Sequence, residues 1–359
     1  MPSQPVFLTR KFPPSIGGME TLAAGVWRSL LTVRPGARKI SHGGKNRDLV
    51  WWFPLSIVRL ALLIVSRRMS FVLTGDALTY AVVRPLLWVF RVPSATMILG
   101  LDVTYENRLY QAIVRTPLRA APAVIAISAA TADRARESGV PPERISVLRL
   151  GVRTPPTGTD RDADTNALRR RLGLGNEDLL LLTLGRLVRR KGVRWFCEFV
   201  MPGLAPHVHY LVAGDGPDEG GIRAAAERAG VTDRVHQLGR VTDAEFEELM
   251  GGADVFVQPN IAVPGDIEGF GLVTVEAAMR GNVVLAADIE GLRDAVDDGE
   301  TGILIRSGDA DAWTEQLNGL PADRDELRQL GIRFQRRARE LYSEEAMGRE
   351  LMVLLNLDA

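Results

Sequence analysis

Two carboxylates bracket a glycine turn in the C-terminal third of the chain. The segment EGFGLVTVE begins at Glu268 and ends at Glu276, and it follows an apolar run at 255–258. The first N–H groups of a helix lack internal partners and carry the positive end of its dipole, and glycines allow a phosphate or hydroxyl to come close. Carboxylates accept hydrogen bonds from sugar hydroxyls. The pattern therefore favours binding of a phosphorylated sugar, although the glycines alone also fit a plain strand-to-helix connection.

A basic loop is the second candidate for chemistry. The segment GRLVRRKG, residues 185–192, follows an apolar run at 179–184 and contains Arg186 and Lys191. Fixed cations stabilise the negative charge that grows on a departing phosphate more than they stabilise the ground state. A basic loop by itself is usually a solvated turn, so the functional interpretation depends on the glutamate pair as its companion.

The glutamate run resembles the E-x7-E signature of retaining glycosyltransferases with the GT-B fold, in particular glycosyltransferase family 4. The basic loop resembles the G-R-x4-K-G element of the same family. The resemblance implies that Glu268 contacts the donor sugar, that Arg186 and Lys191 hold the donor diphosphate, and that Glu276 holds the nucleotide ribose. It also implies backbone contacts to the sugar hydroxyls and the diphosphate, made by Phe270, Gly271, Leu272 and Val273.

Two further segments resemble family elements. Residues 13–20 resemble the P-x-x-G-G-x-E loop, whose glycines, here Gly17 and Gly18, open a helix beside the diphosphate and the acceptor. Glu20 fits this role and fits equally an ordinary first-turn acid that complements the helix dipole. The GDGP turn at 214–217 is a weak signal alone, and the resemblance implies that the backbone near Val241 meets the nucleotide base.

One position departs from the family pattern. Many relatives carry a histidine in an H-G-x-[DE] context, which lies against the donor sugar near its 6-hydroxyl, whereas this chain has LGLD at 99–102. The resemblance implies that Leu99 lines the donor sugar pocket and that a donor without a 6-hydroxyl is favoured. Alternatively, Leu99 is a core residue at a strand end and the register is shifted by one or two residues.

Length and periodicity predict an α/β protein of two doubly wound, Rossmann-like parallel-sheet domains facing across a cleft, as in the GT-B fold. A chain of 359 residues exceeds what one core usually serves, and short apolar runs alternate with helical patterns throughout. We expect an acceptor or membrane-facing domain at 1–153, a linker at 154–164, a donor domain at 165–340, and a C-terminal helix at about 341–359 that crosses back. The predicted strands are 6–9, 71–73, 95–99, 123–127, 145–148, 179–184, 208–213, 235–238, 255–258, 283–286 and 302–305.

Charge divides at the predicted linker. Residues 1–153 carry 21 Lys and Arg against 8 Asp and Glu, a net charge of +13, and the remainder carries −13. The basic half suits an anionic membrane surface or an anionic acceptor, or the two halves simply attract each other. Nucleic acid is disfavoured, because no recognised nucleic-acid motif accompanies the charge.

Targeting features predict a cytoplasmic protein, peripheral on the inner face of the plasma membrane if it meets membrane at all. The N-terminus lacks a signal-peptide pattern, and the single Cys197 excludes an internal disulfide. The apolar runs at 55–65 and 77–92 are interrupted by arginines, so no spanning helix is expected. The WWFP segment at 51–54, beside arginines, fits either a headgroup interface or a buried strand end.

These features predict a retaining glycosyltransferase that moves a sugar from a nucleotide diphosphate to an acceptor hydroxyl, on a lipid-linked or anionic glycan precursor at the cytoplasmic membrane face. No cofactor or metal is expected, because Arg186, Lys191 and two helix N-termini offer the positive charge that Mg²⁺ supplies elsewhere. The three aspartates at 160, 162 and 164 are interpreted as a solvated linker. The alternatives are a nucleotide-sugar epimerase of the GT-B fold and a non-catalytic protein of that fold that binds sugar nucleotides.

Overall fold

The computed structural model of the chain describes residues 4–15, 17–100, 107–155 and 161–357, without the side chains of 161–164. The chain divides into two compact units. Unit 1 comprises residues 1–153 and 341–359, and unit 2 comprises residues 154–340.

Unit 1 is built on a six-stranded parallel sheet with the order β2-β1-β3-β4-β5-β6. Its strands are β1 (Gln4–Thr9), β2 (Arg38–Ser41), β3 (Met69–Thr74), β4 (Ser94–Ile98), β5 (Val124–Ala126) and β6 (Ile145–Val147). Its first helices are α1 (Gly18–Val33), α2 (Leu49–Val65), α3 (Ala77–Val89), α4 (Arg108–Arg119) and α5 (Ala129–Glu137). The strand order reverses between β1 and β3, so the loops after these two strands diverge and leave a crevice at the carboxyl edge of the sheet.

Unit 2 is built on a second six-stranded parallel sheet with the order β12-β11-β10-β7-β8-β9. Its strands are β7 (Leu179–Leu184), β8 (Val208–Ala213), β9 (Val235–Gly239), β10 (Val255–Gln258), β11 (Val283–Asp288) and β12 (Ile303–Arg306). Its helices are α6 (Arg161–Leu172), α7 (Val193–Phe199), α8 (Glu219–Arg228), α9 (Asp243–Gly252), α10 (Leu272–Met279), α11 (Leu292–Ala295), α12 (Ala310–Asn318) and α13 (Arg324–Leu341). The order reverses between β7 and β10, whose central residues are buried and mostly apolar because helices cover both faces of the sheet.

The last helix, α14 (Glu344–Leu354), belongs to unit 1. It packs on α1, where Arg28 pairs with Glu344 at 2.6 Å. A Cβ added at Gly348 would lie 2.5 Å from the carbonyl oxygen of Ser29, so only glycine allows this close approach. The chain thus returns at its end to the sheet with which it began.

The predicted fold class, two doubly wound parallel-sheet domains, is confirmed, and each predicted strand has a counterpart. One strand, Arg38–Ser41, escaped prediction because its sequence RKIS lacks an apolar run; it lies at the sheet edge, where a charged residue stays accessible. The predicted linker at 154–164 overlaps the start of α6, at Arg161.

Helix α2 corrects two expectations from the sequence. The WWFP segment is not a strand end, because it lies within α2, which contains Pro54. The helical segment Asn46–Val65 is also long and apolar enough, by length and composition, to cross a membrane, with a mean hydropathy of 1.8. The two arginines of this segment, Arg47 and Arg59, do not lower its mean hydropathy enough to exclude a spanning helix. Only Ser56 and Leu60 of α2 are buried against unit 1, and the opposite side is exposed.

Candidate functional site

The loops after β7 and β10 meet at the point where the strand order of unit 2 reverses. Gly192 adopts a φ of +68°, and a Cβ there would lie 1.8 Å from the carbonyl oxygen of Pro259. The amide of Ile261 donates to the carbonyl of Arg190 at 2.9 Å. Glycine at 192 is therefore needed both for its conformation and for the space it leaves. The contact holds the basic loop 185–192 beside the segment that leads to Glu268.

Glu268 is the centre of a buried polar cluster. Its Oε2 accepts hydrogen bonds from Arg190 Nη1 at 2.5 Å, Lys191 Nζ at 2.6 Å and Asn260 Nδ2 at 3.0 Å. The backbone N–H of Glu268 donates to Glu290 Oε2 at 2.6 Å. All three side-chain donors converge on one oxygen, which leaves Oε1 as the acceptor that this carboxylate can offer to a ligand.

The neighbouring cations decide the charge of Glu268. Burial by itself opposes ionisation, but the charges of Lys191 and Arg190 and the hydrogen bonds from Lys191 and Asn260 outweigh it and hold the pKa of Glu268 at about 2. The carboxylate is therefore ionised at neutral pH. Because it is fixed from three sides, it is a pre-organised anionic acceptor with little freedom to reorient.

Helix α10 begins at Leu272, after the glycine turn that follows Glu268. Gly271 is its N-cap with a φ of +90°, and a Cβ there would lie 2.5 Å from Leu292 Cδ2. Phe270 is buried, whereas Leu272 and Val273 are partly exposed. The N-terminal amides of a helix carry the positive end of its dipole. The turn therefore places an anion-binding helix end beside the Glu268 cluster.

Glu276 lies one helical turn further along α10 and is partly exposed. Burial raises the pKa of Glu276, the charge of Arg280 lowers it, and the charge of Glu247 raises it again. The side chain of Arg280 is committed to Glu247 at 2.7 and 2.9 Å. In the described part of the chain, no residue donates a hydrogen bond to the Glu276 carboxylate, which leaves both of its oxygens for a ligand.

The Arg186 side chain is exposed and makes no ion pair or hydrogen bond with any residue that the structure describes. The backbone around it is fixed, because the amide of Leu187 donates to the carbonyl of Asp215 at 2.8 Å. A Cβ at Gly214 would lie 1.8 Å from the carbonyl oxygen of Gly185. Val241 follows the next strand, β9, and is partly exposed at the same edge of the sheet.

The candidate residues of unit 1 lie at the carboxyl edge of its own sheet. Gly17 is the N-cap of α1, and Gly18 begins that helix. Glu20 is buried, with its carboxylate 3.5 Å from Lys11 Nζ and against Gly17. Leu99 follows the last residue of β4 and is partly exposed, so it is not a fully buried core residue. Residues 101 and 102 of the departing motif, Asp160, and the side chains of 162 and 164 lie outside what the structure describes.

Three residues of the Glu268 cluster escaped sequence analysis. Arg190 was seen in the basic loop without a role, yet it binds Glu268 and also Asp266 at 2.9 Å. Asn260 follows β10, and Glu290 follows β11. The available signal was their position, because polar residues just after parallel strands gather at one edge of a sheet.

Comparison with known proteins agrees with this geometry. Residues 164–337 match the family model of glycosyl transferases group 1. This part of the chain resembles a group 1 glycosyltransferase domain. The whole chain resembles Anabaena HepE, solved in complex with UDP, with a TM-score of 0.76 at 18% identity over 99% of this chain and 100% of HepE. Sucrose-phosphate synthase from Thermosynechococcus elongatus gives a TM-score of 0.75 at 20% identity over 99% and 98% of the two chains. The chain therefore has the GT-B fold.

Two curated relatives that match this chain are also named glycosyltransferases. A D-inositol 3-phosphate glycosyltransferase from Nocardia farcinica is 34% identical over 223 residues, which cover 56% of this chain and 46% of the relative. A putative colanic acid biosynthesis glycosyltransferase, WcaL, from Salmonella typhimurium is 27% identical over 275 residues, which cover 75% and 65%. The matched regions thus span about half to two thirds of these relatives.

Proposed function

We propose that this chain is a retaining glycosyltransferase of family 4 that moves a sugar from a nucleoside diphosphate donor to an acceptor hydroxyl. The observation that carries the proposal is the ionised Glu268, held by Lys191 and Arg190 at the start of helix α10. The group 1 domain match and the nucleotide-bound neighbour HepE support the donor class.

Each group has a role in this reaction. The bond from the anomeric carbon to the diphosphate oxygen breaks while the acceptor oxygen bonds to the same face of that carbon, and the departing diphosphate takes the acceptor's proton. Arg186 and Lys191 stabilise the charge that grows on the diphosphate. Glu268 orients the sugar hydroxyls through Oε1 and stabilises positive charge on the ring. Glu276 accepts from the ribose hydroxyls.

The reaction proceeds without a metal ion in this proposal, because the cations of the basic loop and the N-terminus of α10 supply the positive charge. Among the residues that the structure describes, no group of three or more His, Cys, Asp or Glu side chains is arranged to hold a metal ion. The metal-free proposal is tested by activity in the presence of EDTA.

The proposed acceptor is a lipid-linked or anionic glycan precursor at the cytoplasmic face of a membrane. The supporting feature is the exposed side of α2, where Trp51 is 80% exposed and Val65 is 70% exposed. Because the other side of α2 packs on the core of unit 1 through Leu60, the helix suits a position along the headgroup interface rather than across the bilayer.

The decisive experiment measures nucleotide release from a panel of sugar nucleotides, with and without candidate acceptors, and the anomeric configuration of the product by NMR. We expect release that depends on the acceptor, with the donor configuration retained. Conversion of the donor sugar without release would instead identify an epimerase. Tight donor binding with neither outcome would identify a non-catalytic binding protein.

A further inference from the structure

A cavity of about 540 Å³ opens in unit 1 at the amino edge of its sheet. Its lining includes Tyr80, Arg84 and Trp88 on α3, Arg91 just after this helix, and Ser94, the first residue of β4. Leu99 follows the other end of β4, about 16 Å away at the usual rise of a strand. The cavity is therefore separate from the carboxyl edge, where the donor and acceptor residues of unit 1 were predicted.

The floor of the cavity is polar. Tyr80 is 2% exposed and Ser94 is 5% exposed. The Tyr80 phenol lies beside Ser94 and Arg84, and burial raises its pKa although both neighbours lower it, so the hydroxyl stays neutral and can donate to a ligand. Two hydroxyls and a guanidinium thus share one buried end of the cavity.

The walls carry positive charge. Arg84 and Arg91 line the cavity, and Arg144 is close enough for its charge to act on Tyr80. Arg144 also donates to the carbonyl of Ala121 at 3.4 Å. None of these three guanidinium groups forms an ion pair with a carboxylate in the described ranges of the chain. Uncompensated arginines around a polar floor favour an anion, and guanidinium groups match phosphate oxygens in geometry.

The rim of the cavity is apolar and exposed. Trp88 lines the cavity and is nevertheless 75% exposed, and Val89 and Phe90 continue the exposed run at 64% and 47%. Tryptophan beside arginine is the combination that sits at the level of lipid headgroups.

We infer that this cavity binds the phosphate headgroup of an anionic lipid, with the acyl chains leaving past Trp88 and Phe90. The volume is within the range of small-ligand sites and holds a glycerol phosphate. The inference rests on the membrane-facing part of the proposed function and not on sugar transfer, so it is tested by binding alone.

The test uses the full chain and short-chain phosphatidic acid below its micelle concentration, with binding measured by calorimetry. The variant Arg84→Gln with Arg91→Gln removes two cavity charges. Its matched control, Arg67→Gln with Arg68→Gln, removes two exposed charges at the end of α2. We expect the cavity variant to bind the lipid at least tenfold more weakly, because charge-assisted hydrogen bonds are lost, and the control to bind like wild type. Tyr80→Phe should lose affinity with unchanged thermal unfolding.

A second arm separates the lipid from free phosphate. Inorganic phosphate and glycerol 3-phosphate should bind more weakly than the short-chain lipid, because they cannot contact the apolar rim. Equal affinity for inorganic phosphate would overturn the lipid assignment. Equal losses of lipid affinity in the cavity variant and in the control would indicate general charge attraction and would overturn the site. Sugar transfer and the binding of α2 to vesicles do not depend on this result.

Discussion

The two sheets differ in what they place where the strand order reverses. In unit 1, Asp76 after β3 is fully buried, pairs with Arg10 at 2.8 Å, and accepts from the amide and hydroxyl of Thr79 at the start of α3. Asp76 and Arg10 therefore neutralise each other within the protein. In unit 2, Glu268 is also paired, yet the side chains of Arg186 and Glu276 form no hydrogen bond with a protein group among the described residues.

The charged side chains compared in unit 1 stabilise the fold, whereas the unpaired side chains in unit 2 can bind a ligand. A buried, locally capped pair such as Arg10 and Asp76 fixes loop and helix, and it offers nothing to a substrate. An exposed arginine and a half-buried glutamate in unit 2 offer one cation and one acceptor to a molecule that carries phosphate and hydroxyls. The predictions below test this comparison, from the largest expected effect to the smallest.

Loss of the diphosphate cations should have the largest effect. Replacing Lys191 or Arg186 by Ala removes a donor aimed at developing charge, and such losses cost ~10²–10³ in kcat. Arg189→Ala is the matched control, because Arg189 is an exposed arginine of the same loop. Activity of the wild type should survive EDTA. Near wild-type turnover of Lys191→Ala, or loss of activity on chelation, would contradict the metal-free account.

Arg190 should tune Glu268 rather than hold the donor. Arg190→Gln removes one of the two cations that depress the pKa of Glu268, so that pKa should rise from about 2 toward the ordinary value for glutamate. Because Glu268 works ionised, activity should then be lost at a higher pH as the pH falls. The ratio of variant to wild-type kcat between pH 7 and pH 4 measures this. If the ratio of variant to wild-type kcat does not change with pH, Arg190 stabilises the loop and does not control the ionisation of Glu268.

The two glutamates should separate turnover from nucleotide binding. Glu268→Gln keeps the shape but removes the charge, so it should lower kcat. Glu276→Gln should weaken binding of the free nucleotide by roughly tenfold, since it replaces a charged acceptor for ribose hydroxyls. Titration of the nucleotide against both variants decides the assignment. A larger loss of nucleotide affinity for the Glu268 variant would reverse the roles of the two residues.

Binding to vesicles should distinguish the outer surfaces of the two units. Trp51→Ser in unit 1 should weaken binding to anionic vesicles several-fold, because it removes exposed apolar area, whereas Phe199→Ser, at an exposed aromatic of unit 2, should not. Each basic residue near an anionic surface contributes ~1 kcal/mol, so binding should fade as salt is added. Equal binding to anionic and neutral vesicles would favour a soluble acceptor.

The fold was predictable because it depends on local patterns, and the site only in part. Runs such as LLLLTL at β7 indicate buried parallel strands directly. The Arg190–Glu268 contact joins residues 78 positions apart and depends on how two loops pack through Gly192, which no local pattern encodes. The sequence also could not predict which side of α2 is exposed, because an apolar helix is usually buried and only the tertiary fold decides which side is covered.

Leu99 should have the smallest effect, and it concerns the choice of donor sugar. A histidine can hydrogen-bond a sugar 6-hydroxyl and a leucine cannot, so a 6-hydroxyl placed against Leu99 without another partner would lose roughly 1–3 kcal/mol. A donor without this hydroxyl, such as a nucleotide-linked rhamnose or fucose, should therefore be preferred. Donors are ranked by kcat/KM, since discrimination resides in that ratio.

Leu99→His should move the preference toward the glucose or mannose nucleotide, with Leu109→His on the exposed side of α4 as the control. If the wild type already uses a 6-hydroxy donor tenfold better than every 6-deoxy donor, Leu99 does not face the sugar or another residue makes the histidine's contact.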